Sequence, residues 1–215
     1  MWDNRMSLKE IAERIYGNLE AQNALRDRVS EDVRKMLKET RETISAIHRG
    51  ELKAAEASLA RAKTLLAALH DKVSKASMQS LAGLVQNAEG EVAEAALLLA
   101  FRRQRTLPSP DHIGVSDMGY LLGLGDLIGE LRRVAVDALK DDDSELAARA
   151  FVSMEETYSV LLTFDFPRSI MPGIRQKTDA ARGLVERTRA DLSTDVQRRR
   201  LLAGIAELQK SLTKR

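Results

Sequence analysis

About forty residues that keep one apolar face through a polar background leave little choice of secondary structure. Leu8, Ile11, Ile15, Leu19, Leu25, Val29, Val33, Leu37, Ile44 and Ile47 return at intervals of three or four residues, or sums of these. Strands need a period of two, so this spacing predicts a single long helix. Its ends are marked. "SLKE" places Ser7 as N-cap with Glu10 three residues on, a capping box, and "HRG" offers Gly50 as the stop. A helix of that length implies partners along it, because no isolated surface helix needs so long a stripe.

The same signals repeat to the end of the chain. A second helix is expected over "ELKAAEASLARAKTLLAAL", from Glu51 to about Leu69, and a third from Ser77 to Arg105, ahead of Pro108 and Pro110. The loop "TLPSPDHIGVS" is the clearest break. A fourth helix starts near Ser116 or Asp117 and runs to the acidic turn "KDDDS"; a fifth, capped by Ser144, ends at "FDFPR". Pro172 opens a sixth that reaches about Leu192, and "STDVQRRRLLAGIAELQKSL" makes a seventh. With 44% hydrophobic and 31% charged residues but only 4 prolines and 4% aromatics, the composition suits long helices. No linker rich in Pro, Gly and Ser divides the segments. The expectation is an all-α fold: one domain over residues 1–215, a seven-helix bundle of long antiparallel helices. There is no cysteine, which excludes disulfides and thiolate metal sites. No apolar run approaches the ~20 residues that span a bilayer, and no signal peptide is read before Ser7. A soluble, cytoplasmic protein with no membrane partner is expected.

The net charge of +2 conceals a strong asymmetry. Thr106 to Pro167 holds 4 basic and 12 acidic residues, a balance of −8, whereas Arg168 to the end holds 12 basic and 5 acidic, a balance of +7. Two readings stand: solvated helix faces, or a division that serves intermolecular pairing or separate work on cations and on phosphates.

Two pairs of carboxylates bear on chemistry. In "EGEVAEAALLLAF", Glu91 and Glu94 are three residues apart, which places them about 60° apart on one helix face. In "GDLIGELRR", Asp126 and Glu130 are four apart, separated by about 40°. Such pairs are often solvated surface features. If the two faces meet instead, four carboxylates converge and raise one another's pKa unless a cation lies among them. All-oxygen ligation then favours Mg²⁺, with Mn²⁺ as the substitute. No basic residue lies between Lys75 and Arg102, so Glu89, Glu91 and Glu94 lack partners on their own helix. Gly123, Gly125 and Gly129 surround Asp126. They serve either the close approach of backbone or substrate, or tight helix packing. His48, His70 and His112 are scattered along the chain. Two lie near helix ends, where a positive imidazole suits the dipole, and the scatter speaks against a histidine acid/base nuclease. No Walker A, GxGxxG or GxSxG sequence occurs.

With these residues in view, the chain resembles the translin/trax family. The likeness covers nearly the whole chain: the first helix with "DVRK" and "HRG", the run "YLLGLGDLIGELRR", and "FDFPRSIMPGIRQKTDAARGLVERTRADL". The second of these is similar to the trax-type "YLLGxxDLxGELxR" and is the most specific. The resemblance implies a seven-helix fold that assembles through dimers into a hollow, roughly octameric shell, with single-stranded RNA or DNA bound inside. It also implies that trax-type subunits are Mg²⁺-dependent endoribonucleases, while translin-type subunits bind without catalysis. The trax-type catalytic and metal-binding set falls on Glu91, Glu94, Asp126 and Glu130. Translin-type chains carry an apolar residue where Asp126 stands, so the resemblance is to the catalytic branch. The chain departs from translin in "ASMQSLAGLVQNAEG", which holds no basic residue where that protein has a basic, histidine-containing cluster.

Candidates for binding nucleic acid therefore follow from charge. Arg133, three residues beyond Glu130, either holds a phosphate or pairs with Glu130. Arg102, Arg103 and Arg105 either bind phosphates or complement their helix C-terminus. Arg198 to Arg200 suit a solvated or interface patch, and Tyr120, Phe151, Tyr158, Phe164 and Phe166 sit mostly at core spacing. The functional expectation is a Mg²⁺-dependent endoribonuclease acting on single-stranded RNA inside a closed homo-oligomer. The alternatives are a non-catalytic single-stranded RNA or DNA binder of the translin type and a helical scaffold.

Overall fold

A computed structural model describes residues 6–76 and 81–213. Among them are seven helices and no strand: α1 (Leu8–His48), α2 (Leu52–Ala76), α3 (Ala82–Arg102), α4 (Pro110–Ile113), α5 (Asp117–Lys140), α6 (Ser144–Leu162) and α7 (Ile174–Thr213). Helix α1 begins and ends where its sequence says. The Glu10 N–H donates to Ser7 Oγ and the Ser7 N–H donates to Glu10 Oε2 at 2.7 Å, closing the capping box. At the other end Gly50 takes φ +77°, and the amides of Gly50 and Glu51 return to the carbonyls of Ile47 and Ala46. This is a Schellman stop, and it turns the chain straight into α2.

Several boundaries depart from expectation: α2 runs on to Ala76 rather than about Leu69, α3 ends at Arg102 rather than Arg105, and α7 opens at Ile174, beyond Pro172. The loop after α3 contains the one-turn helix α4, capped by Ser109. The cap of α6 is Asp143, whose carboxylate accepts the Leu146 amide, rather than Ser144, which is itself helical. The expected sixth and seventh helices are one rod, α7. Ser193 and Thr194 imitate a cap in sequence, but their hydroxyls bond back to the carbonyls of Arg189 and Ala190, so the helix passes through them. Ser77, the expected start of the third helix, lies outside the described residues.

Helices α3 and α5 form the spine. The α1–α2 hairpin packs on one flank, and α6 and α7 cover α5 on the other. Along α3 nearly every residue from Glu89 to Ala100 is buried, which accounts for an apolar surface on all sides rather than a stripe. Small residues bring the two spine helices close. A Cβ on Gly123 would lie 2.6 Å from Ala93 Cβ and 2.7 Å from the Gly90 carbonyl oxygen, too near for either helix to remain where it is. Gly129 has no atom within 4 Å of such a Cβ. The two glycines therefore predict opposite outcomes. Gly123→Ala should lower stability by about 1–3 kcal/mol, and Gly129→Ala should raise it by up to about 1 kcal/mol, because alanine is the better helix former. Thermal melts of the two variants check this, at roughly 2–4 °C per kcal/mol for a chain of this size.

The acidic middle and the basic end of the sequence meet within the chain. Arg198 bonds Asp142 at 2.6 Å and Asp195 at 2.9 Å, and Arg199 donates to Ser144 Oγ. Arg189 pairs with Glu155 and Lys177 with Asp126. Exposed pairs such as these add little stability individually; together they fix how α7 lies along α5 and α6. Arg198 and Arg199 are thus partly consumed by the acidic turn rather than forming a free patch. Beyond this packed body, residues 12–24 of α1 and 196–213 of α7 are exposed on all sides. Leu8, Ile15 and Leu19 on one rod, and Leu201, Ile205, Leu208 and Leu212 on the other, are exposed and face no partner among the described residues. Among the described residues, no helix is long and apolar enough to cross a membrane.

Candidate carboxylate site between α3 and α5

The glycine contact that seats α5 on α3 also brings their acidic residues into one field. Glu94 is 8% exposed and carries a carboxyl pushed up to about 8. Burial is the largest cause, followed by the negative charges of Asp126, Glu130 and Glu91. Glu91 is raised too, by burial and then by Asp126, against the opposing pull of Arg41 and Lys177. Glu94 thus feels the other three expected carboxylates, and Glu91 feels Asp126. Neither Glu91 nor Glu94 has an ion pair or side-chain hydrogen bond among the described residues.

Two side chains from distant parts of the chain reach the other pair. Lys177, near the start of α7, forms an ion pair with Asp126. His48, in the last turn of α1, has its Nε2 at 2.5 Å from Glu130 Oε2, with the imidazole only 10% exposed. The scatter of histidines in sequence is therefore no guide to their place in space: one of them belongs to this site. Gly125 makes room for the lysine. A Cβ there would lie 2.8 Å from both Cβ and Cδ of Lys177, so the bare backbone lets the aliphatic stem lie across α5 beside Asp126. Of the three glycines around Asp126, one serves helix packing, one admits a side chain from α7, and Gly129 faces open space.

As an all-oxygen donor set with crowded negative charge, these residues match a hard divalent cation in chemistry. Their arrangement is a different matter. No group of three or more His, Asp or Glu side chains among the described residues is disposed to hold a metal ion. Asp126 is turned to Lys177 and Glu130 to His48, so the protein supplies partners for both of these carboxylates from its own chain.

A second polar knot adjoins the spine. Glu89, 5% exposed, accepts from Ser116 Oγ and lies 2.8 Å from His70 Nε2, joining α2, α3 and the N-cap of α5. Its partners come from other helices, which explains why none is found at helical spacing on α3.

The expected phosphate-binding arginines are dispersed. Arg133 is exposed and approaches Asp137 at 4.0 Å rather than Glu130. Arg103 pairs with Glu56 of α2 at 3.0 Å, with its Nε buried, and so clamps α3 to α2 instead of facing solvent. Arg102 and Arg105 lie at the same end of α3. Arg102 lines a small polar cleft with Asp143 and Arg149. Arg105 is among the residues lining an apolar cavity of about 860 Å³ among α3, α5 and α6. Phe164 and Phe166 are surface residues rather than core, at 36% and 59% exposure.

Fold and site together define an all-α protein with an acidic centre between its two spine helices. Residues 24–189 match the translin family, and the chain belongs to that family. It is 30% identical over 156 residues to the uncharacterised protein MJ0175 of Methanocaldococcus jannaschii, an overlap of 70% of each chain. Among solved structures it is similar to AfC3PO, at 31% identity and TM-score 0.73, covering 87% of this chain and 98% of that one. The complex of AfC3PO with duplex RNA gives 29% identity and TM-score 0.74, with 87% and 97% covered. Apo-NeC3PO shares the fold at TM-score 0.75 and 20% identity, over 89% and 99% of the two chains.

Proposed function

We propose that this chain binds RNA and cleaves it as a Mg²⁺-dependent endoribonuclease, with Glu91, Glu94, Asp126 and Glu130 as the metal-holding set. One observation carries the reading. Glu94 is 8% exposed, has no ion pair or side-chain hydrogen bond among the described residues, and lies in the field of three other carboxylates, an arrangement that a stable core does not need and a divalent cation would relieve. Membership of the translin family, and the likeness to AfC3PO, which has been solved with duplex RNA, support a nucleic-acid ligand. The bare apolar stripes on α1 and α7 support self-association into a closed shell.

Held by Glu91, Glu94, Asp126 and Glu130, a divalent cation would supply Lewis acidity toward a phosphate and a more acidic bound water. The protein's own residues do the rest. Glu91 and Glu94 present unpaired oxygens from α3. Asp126 supplies charge from α5, and His48 fixes the orientation of the Glu130 carboxylate as outer-sphere partners of ligands commonly do. Water remains the proposed nucleophile.

A second reading is a binder without catalysis. It is favoured by the pairing of Lys177 with Asp126, which gives one carboxylate a structural partner. End-labelled single-stranded and duplex RNA, incubated with purified protein and either Mg²⁺ or chelator, separates the two. Discrete products that require Mg²⁺ support the nuclease. Salt-sensitive binding with no product under either condition selects the binder.

A further inference from the structure

The arginines expected to hold phosphate are dispersed, yet α1 carries a row of cations. Arg34, Lys38 and Arg41 follow one another at intervals of four and three residues. They therefore lie within about 60° of one another on the helix, over a length of ~10 Å. All three are exposed, and none has an ion pair or side-chain hydrogen bond among the described residues. Acidic neighbours are plentiful but engaged elsewhere. Asp32 pairs with Lys72 and Glu39 with Arg61, both on α2. Glu31 pairs with Lys35 and Glu42 with Arg49, each at 2.8 Å. All four acids between Glu31 and Glu42 are thus taken, and three cations remain side by side. Like charges at this spacing repel. Packing does not require the arrangement, and a polyanion would relieve it.

The row also leads somewhere. Arg41 is close enough to the acidic site to oppose the rise at Glu91, and His48, seven residues further along α1, meets Glu130. No large hydrophobic side chain is exposed on α1 beyond Leu19. A protein partner would find no apolar anchor there, whereas a phosphate backbone needs none.

We propose that Arg34, Lys38 and Arg41 form a phosphate track on which an RNA backbone is seated, the strand running along α1 toward the carboxylates of α3 and α5. The track rests on the RNA-binding part of the reading above and needs no metal ion. Three flexible, charged stems on a rigid helix fix the path of the strand without reading its bases. They are positioning residues, and the binding they give is indifferent to sequence.

The test is binding of a fluorescently labelled oligouridylate to the full chain in chelator, read by anisotropy across a salt series. Arg34→Gln/Lys38→Gln/Arg41→Gln should weaken binding about tenfold or more. It should also flatten the salt dependence by about 2 in slope, at ~0.7 for each phosphate of a single strand. Arg34→Lys/Arg41→Lys keeps the charges and should keep the slope, and it stands in if the neutral variant does not fold. Lys53→Gln/Arg168→Gln/Arg200→Gln removes as many exposed cations from elsewhere and should stay within about twofold of the parent. Parent-like affinity and slope in the neutral α1 variant, or an equal loss in the control, overturns the track and leaves RNA binding standing. RNA binding lost only together with assembly, by light scattering, marks the row as a contact between copies and overturns it too. No RNA bound by the parent overturns the nucleic-acid reading and the track with it.

Discussion

Asp126→Ala is expected to slow Mg²⁺-dependent RNA cleavage by on the order of a thousandfold while the fold survives. Asp126 is the natural choice for a single substitution because its charge is the largest carboxylate influence on both Glu91 and Glu94. Removing it takes away a ligand and also relieves the repulsion that makes the cluster attractive to a cation. The fold should tolerate this. Asp126 is partly exposed, and its loss frees Lys177, which already borders an open cleft. Initial rates on labelled RNA at saturating Mg²⁺, with a thermal melt of the same preparation, give both readings. Parental rates in the variant would move the reaction away from these carboxylates and leave a binding protein.

The second large effect concerns pH. The Glu94 carboxyl has an ordinary value of 4.5 and is pushed up to about 8 in the fold. Below 4.5 the group is protonated whether the chain is folded or not. Between 4.5 and 8 the unfolded chain releases the proton while the folded chain keeps it, so stability falls as pH rises through this window and levels off above it. Glu94→Gln removes that loss. Metal-free Glu94→Gln protein should therefore melt higher than the parent at pH 8–9, by roughly 5–10 °C for a change of a few kcal/mol. The advantage should vanish near pH 4.5. Mg²⁺ should reverse the order at high pH, since it stabilises the ionised parent and finds one ligand fewer in the variant. Melts across pH 5–9, with and without Mg²⁺, test this. Parallel curves would show that Glu94 does not titrate in a crowded negative field.

What the sequence revealed was local. The capping box at Ser7 and Glu10, the stop at Gly50 and the three- and four-residue spacing of the carboxylates are readable because each depends on neighbours within one or two helical turns. The same locality misled at Ser193 and Thr194, which read as a helix start until their hydroxyls are seen bonding backwards. Asp143 and Ser144 compete as caps one residue apart, and the polar run does not say which wins. The partners of Asp126 and Glu130 were beyond reach. His48 is 82 residues from Glu130 and Lys177 is 51 from Asp126, and no spacing rule operates over such distances. The charge asymmetry was visible but its meaning was not, because whether opposite charges meet within a chain or between chains depends on where α7 docks. Gly125 left a trace that became interpretable only once the lysine lying on it was known.

The bare ends of α1 and α7 tie shape to abundance. A rod of this length whose leucines stay exposed is a marginal helix in water. The last 18 residues of α7 would extend about 27 Å if fully wound, yet holding that form depends on what meets them. If other copies fill that role, dilution should melt these turns before the body around α3 and α5 loosens. Amide exchange there would then report how crowded the solution is, while the acidic centre went on exchanging as before.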